Sequence, residues 1–351
     1  MQHRWALPLA LAAAVATGPH AGARQSGLAT APPETWPGAP GPAVGSVIPA
    51  FELPDQDGRP RTFANLKGAK GLVLNFNRSV IWCPYCKSQL VELGREAAAF
   101  RARGLEVAAI VPEPVADLKA FTTRLQIPFP ILSDADGSVV RRFGLEDTRG
   151  NPYVPRAGLP YAGNLYLDAG GTVRERYFEQ EVETRRTAGS ILLQQGGDGT
   201  GRQQLALGHL VLDTSASNAE LAPGQRFTVA LDLALEEKHH VYAPGVTGYR
   251  PLKLVLDANP LFEAHPTQFP PARTYYYAPL RETVPVFEGH VRVLQDLTLA
   301  FRPALAAMGK EGEHDVALTG TLEYQVCSDR VCYPPSAAPV RWTFRLKRWT
   351  K

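Results

Sequence analysis

The chain changes texture once, near residue 195, and that change constrains its fold more than any other feature. Before it, compact apolar runs at 72–76, 105–111, 129–132, 164–167 and 172–178 alternate with helical patterns at 84–103, 115–125, 139–143 and 184–194. In the first of these helices Leu90, Leu93, Ala97 and Phe100 recur on one face. Strands alternating with helices at such lengths predict an α/β sheet covered on both faces. After residue 195 the runs at 209–212, 226–235, 252–256, 291–301, 315–324 and 340–346 are short, alternating or β-branched, and separated by Pro and Gly turns. That pattern predicts an all-β sandwich.

Two domains also suit the length of 351 residues, and 44% hydrophobic content lets each half bury a core. Residues 1–23 have a basic start, an uncharged apolar run and the small-x-small site Ala21-Gly22-Ala23, the three parts of a secretory signal peptide. Residues 24–45 are rich in Pro, Gly and Ala and read as a tether. The domains are then expected at 46–195 and 205–351, with 196–204 as a flexible Gly- and Gln-rich linker. No run has the length of roughly 18 apolar residues that a membrane span needs. A net charge of +3 without a dense basic cluster makes nucleic acid an unsuitable partner.

All four cysteines fall into local pairs, Cys83 with Cys86 and Cys327 with Cys332. A static disulfide stabilises by closing a loop in the unfolded chain, and loops this short contribute little. Chemistry that makes and breaks the bond explains them better. Trp82-Cys83-Pro84-Tyr85-Cys86 follows a strand and opens a helix, where unsatisfied N–H groups and the helix dipole favour a thiolate on Cys83. Cys86, one turn on, is placed to resolve a mixed disulfide. Pro84 suits the first helical turn, while Trp82 and Tyr85 are expected to rim the site. Arg78 and Lys87 are the nearby cations. Around the second pair, Asp329 and Arg330 predict a turn that brings Cys327 and Cys332 together. Metal and cofactor sites are not expected: neither pair has two further local ligands for zinc, residue 87 is Lys rather than the His of a haem-attachment motif, and no dinucleotide fingerprint occurs.

The strand, the WCxxC sequence and the following helix resemble the thioredoxin superfamily, and residues 45–195 look like its redoxin branch of AhpC/TSA-type peroxiredoxin-like and TlpA-like reductases. The resemblance implies a thioredoxin-like fold and a cis proline facing the cysteines, matched by Pro160, which would offer the Leu159 backbone to a partner chain. The Pro and the Thr or Ser that precede the reactive cysteine of typical peroxiredoxins are replaced here by Phe76 and Val80, and Asn75 and Asn77 stand where thioredoxins place a buried Asp. Glu92 and Glu96 are then the acids nearest in sequence to serve Cys86. Tyr324-Gln325-Val326-Cys327 and Cys332-Tyr333-Pro334-Pro335, with His240-Val241-Tyr242-Ala243-Pro244 and Phe287-Glu288-Gly289, resemble the amino-terminal periplasmic domain of the DsbD family over about residues 205–349. That likeness implies an immunoglobulin-like sandwich, a periplasmic or otherwise exported location, exported thiol or disulfide proteins as partners, and a transmembrane disulfide reductant as a further one.

The expected activity is therefore thiol-disulfide exchange between the two dithiols, ending in reduction of protein disulfides. Two alternatives stand beside it: a thiol-dependent peroxidase with Cys83 as the attacking residue, and a non-enzymatic binding or assembly protein with static disulfides.

Overall fold

The computed structural model describes residues 38, 40–149, 158–181, 183–277, 281–300, 305 and 314–347. The segments expected to be a signal peptide and most of a tether lie outside these residues.

The first half begins with β1 (Glu52–Pro54), β2 (Pro60–Thr62) and α1 (Phe63–Leu66), which precede β3 (Gly71–Phe76), α2 (Pro84–Ala102), β4 (Leu105–Val111) and α3 (Val115–Leu125). There follow β5 (Ile131–Ser133), α4 (Ser138–Arg142), β6 (Gly163–Asp168) and β7 (Val173–Phe178). The five-stranded sheet has the order β5-β4-β3-β6-β7, with β3, β4 and β5 parallel and β6 and β7 antiparallel to their neighbours. Every residue of β3 is buried, as an apolar run in a central strand requires. One face packs against Leu90, Leu93 and Phe100 of α2 and Leu118 and Phe121 of α3. The other is covered by Phe51, Leu66, Val139, Val140 and Phe143. This is a thioredoxin-like α/β fold.

The expected helix over 184–194 divides into β8 (Arg185–Arg186) and α5 (Ala188–Gln194). The expected linker also departs from the sequence reading, because β9 (Thr200–Ala206) occupies much of it. These residues are nearly all exposed, so the strand carries no apolar alternation. Backbone pairing to β10 (Leu210–Ala216) holds it.

Beyond lie β11 (Glu220–Leu221), β12 (Gln225–Leu235), β13 (His239–Tyr242), β14 (Lys253–Leu256), β15 (Phe262–Ala264), β16 (Arg273–Tyr277) and β17 (Glu282–Glu288). The last are β18 (His290–Leu299), β19 (Asp315–Tyr324), β20 (Val326–Ser328) and β21 (Ser336–Leu346). Sheets β15-β18-β12-β10-β9 and β11-β21-β19-β14 enclose a shared core that includes Phe227, Leu231, Val293, Leu318, Trp342 and Phe344. A third sheet, β16-β17-β13-β20, extends from one end. The region is an immunoglobulin-like β-sandwich.

The two halves are docked through buried polar contacts. β8 pairs in parallel with the start of β12, matching Gln225 with Arg185 and Arg226 with Arg186. Arg186 Nη2 donates to Asp296 Oδ2 at 2.7 Å, and Arg226 Nη2 reaches the same oxygen at 3.3 Å. Burial alone would raise the Asp296 pKa, but the two guanidinium groups and Thr228 hold it down to about 2. On α2, both Glu92 oxygens accept hydrogen bonds from the sandwich, from Asn218 Nδ2 at 2.9 Å and Gln225 Nε2 at 3.1 Å. Burial nevertheless pushes Glu92 up to about 7. The stretch expected to be a flexible linker thus joins two domains that are already fixed to each other by a strand and an ion-pair network.

Candidate functional site

Cys83 is the N-cap of α2, and Pro84 is the first helical residue. The Cys86 N–H donates to Cys83 Sγ at 3.3 Å, which satisfies one of the free N–H groups at the helix start with a sulfur. Cys83 and Cys86 form a disulfide with Cα atoms 5.3 Å apart. Cys83 is only 3% exposed and Cys86 is fully buried. Above them Ile81 and Trp82 are exposed at 55% and 37%, and Tyr85 is half-buried.

The loop before Cys83 is held by side chains that sequence reasoning did not assign. Ser79 Oγ accepts the N–H groups of Ile81 and Trp82 at 2.9 and 3.1 Å, and Glu113 Oε2 accepts that of Val80 at 3.4 Å. A buried hydroxyl therefore does stand in this loop, one residue before Val80. Lys87 Nζ donates to the Ile81 carbonyl at 3.2 Å and serves the same loop.

Two buried cations lie by the residues that bracket Cys83, Arg78 by Trp82 and Arg185 acting on Tyr85. The Arg78 guanidinium lies 5.9 Å from the Trp82 ring and 3.8 Å from Asp147, and burial lowers its pKa despite that carboxylate. Arg185 is buried so deeply that its pKa falls to about 10, with Arg78 adding to the effect. It remains a cation at neutral pH. Its Nη1 donates to the Thr184 carbonyl at 2.7 Å, while Nε and Nη2 are buried and have no partner among the described residues. Arg185 acts electrostatically on Tyr85, two residues after Cys83. Its position in a two-residue strand gives no periodic signal, which is why it was missed.

The proline expectation is corrected. No cis peptide bond occurs among the described residues, so the bond before Pro160 is trans. Extended backbone is required because residues 145–147 and 159–161 form a short ladder, in which the Asp147 N–H donates to the Leu159 carbonyl and the Tyr161 N–H to the Leu145 carbonyl, both at 2.8 Å. The carbonyl expected to greet a partner chain is already used. Nor does Glu92 serve Cys86, since its oxygens face Asn218 and Gln225. Where thioredoxins keep an acid, Asn77 Nδ2 donates to Asn75 Oδ1 and Asn75 Nδ2 to Asn164 Oδ1, a chain of neutral amides.

The second pair sits on a hairpin. Cys327 and Cys332 face each other across an antiparallel bridge, with Cα atoms 4.0 Å apart and a disulfide between them. Asp329 and Arg330 occupy the expected turn, closed by the Ser328 N–H to the Val331 carbonyl at 2.8 Å. Cys327 is buried at 1% exposure, whereas Cys332 is exposed and Val331 beside it is 52% exposed. Tyr242 Oη lies 3.6 Å from Cys332 Sγ, its ring stacks on Tyr249 at 4.2 Å, and His240 packs on Tyr275 at 4.5 Å. Burial, with nearby tyrosines and Glu282, pushes the Tyr242 pKa up to about 12, so its hydroxyl stays protonated and donates to the sulfur.

Among the described residues one group has metal-ligand chemistry: His209, Glu236 and His239, whose ligand atoms lie within 4.8 Å of one another. The two imidazoles stack nearly parallel, 8° apart at 4.5 Å. Ring lone pairs lie in the ring planes, so this stacking does not aim both at one ion.

The cysteine pairs occupy opposite ends of the sandwich. The end where Arg226 pairs with Thr298 carries Arg185 and, through Glu92, the middle of α2, and Arg185 acts in turn on Tyr85 at the helix start. The other end continues from Leu235 into β13, where His240 pairs with both Glu288 and Cys327. From Thr298 to Glu288 the chain runs ten residues through two successive ladders that meet at Gly289, on the order of 30 Å at most at about 3.3 Å per residue. The β19/β21 pair runs the same way, from Leu346 beside Leu221 to Ser336 beside Tyr324.

Two separate cysteine pairs, one at a helix N-cap and one on a hairpin, in two domains of redox architecture, have the arrangement that thiol-disulfide chemistry requires. Residues 44–176 match the AhpC/TSA family, and residues 209–341 match the family described as thiol:disulfide interchange protein DsbD, N-terminal. The chain belongs to the AhpC/TSA family through its first domain and carries a DsbD amino-terminal-like domain behind it. It is 30% identical over 136 residues to the chloroplastic peroxiredoxin Q of Sedum lineare, covering 39% of this chain and 69% of that protein. It is 32% identical over 104 residues to the thiol-disulfide oxidoreductase ResA of Geobacillus thermodenitrificans (strain NG80-2), covering 29% of this chain and 58% of ResA's length. Among solved structures, peroxidoxin BcpB of Mycobacterium tuberculosis aligns at 25% identity and a TM-score of 0.36, over 39% of this chain and 86% of that one.

Proposed function

We propose that this chain is an exported, thiol-dependent peroxidase in which Cys83 attacks and Cys86 resolves, with the Cys327–Cys332 pair handling electrons that arrive as dithiol. The observation that carries the reading is the recess of the first pair. A sulfur 3% exposed admits a peroxide of two oxygens more readily than the bulky bridge of a protein disulfide. The engaged Leu159 carbonyl points the same way, and so does the likeness to peroxiredoxin Q.

In the reduced enzyme the Cys83 thiolate, favoured by the helix N-terminus and the Arg78 and Arg185 cations, attacks the distal peroxide oxygen. The O–O bond breaks, the leaving oxygen takes a proton and departs as water or an alcohol, and Cys83 becomes a sulfenic acid. The Cys86 thiol, three residues on, displaces hydroxide, which leaves as water, and the disulfide forms. Two electrons then return from a dithiol. Arg185 has two unpartnered N–H groups suited to stabilising the departing oxygen's charge.

Reduction of protein disulfides is the second reading, favoured by the exposed apolar rim of Ile81 and Trp82 and by the likeness to ResA. The DsbD-like domain supports a periplasmic location, with exported thiol or disulfide proteins and a transmembrane disulfide reductant as partners. No helix among the described residues is long and apolar enough to cross a membrane.

The test is a Cys86→Ser variant treated separately with hydrogen peroxide and with an oxidised protein substrate. Fast sulfenic acid formation on Cys83, read by dimedone labelling and mass spectrometry, supports the peroxidase. Slow sulfenic acid formation with rapid trapping of the protein as a mixed disulfide transfers the assignment to disulfide reduction.

A further inference from the structure

The placement of the two pairs raises a question that their chemistry leaves open: how electrons pass between them. Within one chain they stand apart by the length of those ladders, on the order of 30 Å at most along the sandwich, while sulfur must meet sulfur in line for exchange. Closing that gap by swinging the first domain would tear β8 from β12 and expose Asp296, Arg186 and Arg226.

The surfaces at the two sites suit each other. The exposed large apolar side chains among the described residues are few, and three of them flank the cysteine pairs: Ile81 and Trp82 over the recessed first pair, and Val331 on the tip of the second. The tip is a tight four-residue turn with the exposed Cys332 beside it. That is a slender probe, and the recess over Cys83 requires one.

We propose that the Cys327/Cys332 dithiol of one copy reduces the Cys83–Cys86 disulfide of a second copy, docking hairpin tip into the Ile81–Trp82 rim. The inference rests on both pairs being redox-active. The Cys332 thiolate attacks Cys83 Sγ, the Cys83–Cys86 bond breaks, and the Cys86 thiolate leaves and takes a proton. Cys327, deprotonated, then attacks Cys332 Sγ and releases Cys83. One dithiol is oxidised and one disulfide reduced, two electrons having moved between chains. The contact is heterologous, joining different surfaces of the two copies.

Two full-length double variants test this: Cys327→Ser/Cys332→Ser, oxidised, and Cys83→Ser/Cys86→Ser, reduced. On mixing, thiols should move from the second to the first, at a rate that rises in proportion to the concentration of either, as read by alkylation and mass spectrometry. A full-length Cys86→Ser/Cys327→Ser chain, oxidised when dilute, should give a Cys83–Cys332 link between two polypeptides on a non-reducing gel. A link within one polypeptide overturns the proposal, as does failure of thiols to move between the mixed chains. Neither result touches peroxide reduction, which is read independently as sulfenic acid on Cys83. Loss of that signal with thiol transfer intact overturns the peroxidase reading and leaves this one standing.

Discussion

The two disulfides of this chain solve opposite problems. The first is recessed at a helix N-terminus, with buried Arg78 by Trp82 and buried Arg185 acting on Tyr85. The second presents one exposed cysteine on a hairpin beside tyrosines and a histidine. A protected sulfur suits a small substrate and an exposed one suits another protein. The chain holds both, in two domains joined by a shared strand pairing and buried hydrogen bonds.

The comparison breaks most severely at Arg186, which anchors the strand carrying Arg185. Arg186→Ala leaves the buried Asp296 with Arg226 as its remaining cation, at the longer distance of 3.3 Å, and should cost up to about 3–5 kcal/mol in urea unfolding. The Arg186→Ala/Asp296→Ala double variant should recover part of that loss. Retained stability in the single variant would mean that the domains do not depend on this pair.

Next is Glu92, whose folded pKa of about 7 lies above its ordinary 4.5. Between these values the folded chain holds a proton that the unfolded chain releases, so this residue's contribution makes stability fall as pH rises from about 4.5 to 7. Removing the charge in Glu92→Gln should flatten that fall, by on the order of 2 kcal/mol, as measured by unfolding at pH 4.5 and pH 8. An unchanged slope would show that Glu92 does not couple the domains electrostatically.

Arg185→Leu sharpens the contrast between the pairs. Alkylation of reduced Cys83 by iodoacetamide at pH 7 should slow roughly tenfold as the thiolate loses a neighbouring cation, while Cys332 should react as before. Equal slowing at both would point to a general loss of structure. The smallest effect belongs to Tyr242→Phe, which removes the hydroxyl on Cys332 Sγ. Exchange at Cys332 should change by a factor of about five or less, the scale of one weak hydrogen bond, with Cys83 unaffected.

Much of this was visible in the residues themselves. The helical face of Leu90, Leu93, Ala97 and Phe100 is buried, and the strand 105–111 and the helix 115–125 have the expected bounds. Those segments are set by local periodicity. Cys83 likewise declares itself because a cap, a proline and a second cysteine fall within four positions. β9 stayed hidden because its side chains face water and only backbone pairing defines it. Arg185 and Asp147 stayed hidden because their roles depend on neighbours far away in sequence. The trans bond before Pro160 was missed because the ladder with residues 145–147 is a tertiary contact, which outweighs the family pattern.

β8 has one more consequence. By position in the chain it lies in the first domain, yet by hydrogen bonding it is a strand of the second. The border at which the sequence changes character is therefore not the border along which the molecule separates. A protease or an engineer cutting near residue 195 would not obtain two intact halves. The first fragment would carry away a strand of its neighbour's sheet, together with Arg186, whose counter-charge Asp296 remains behind, and Glu179, whose partner Arg226 remains behind.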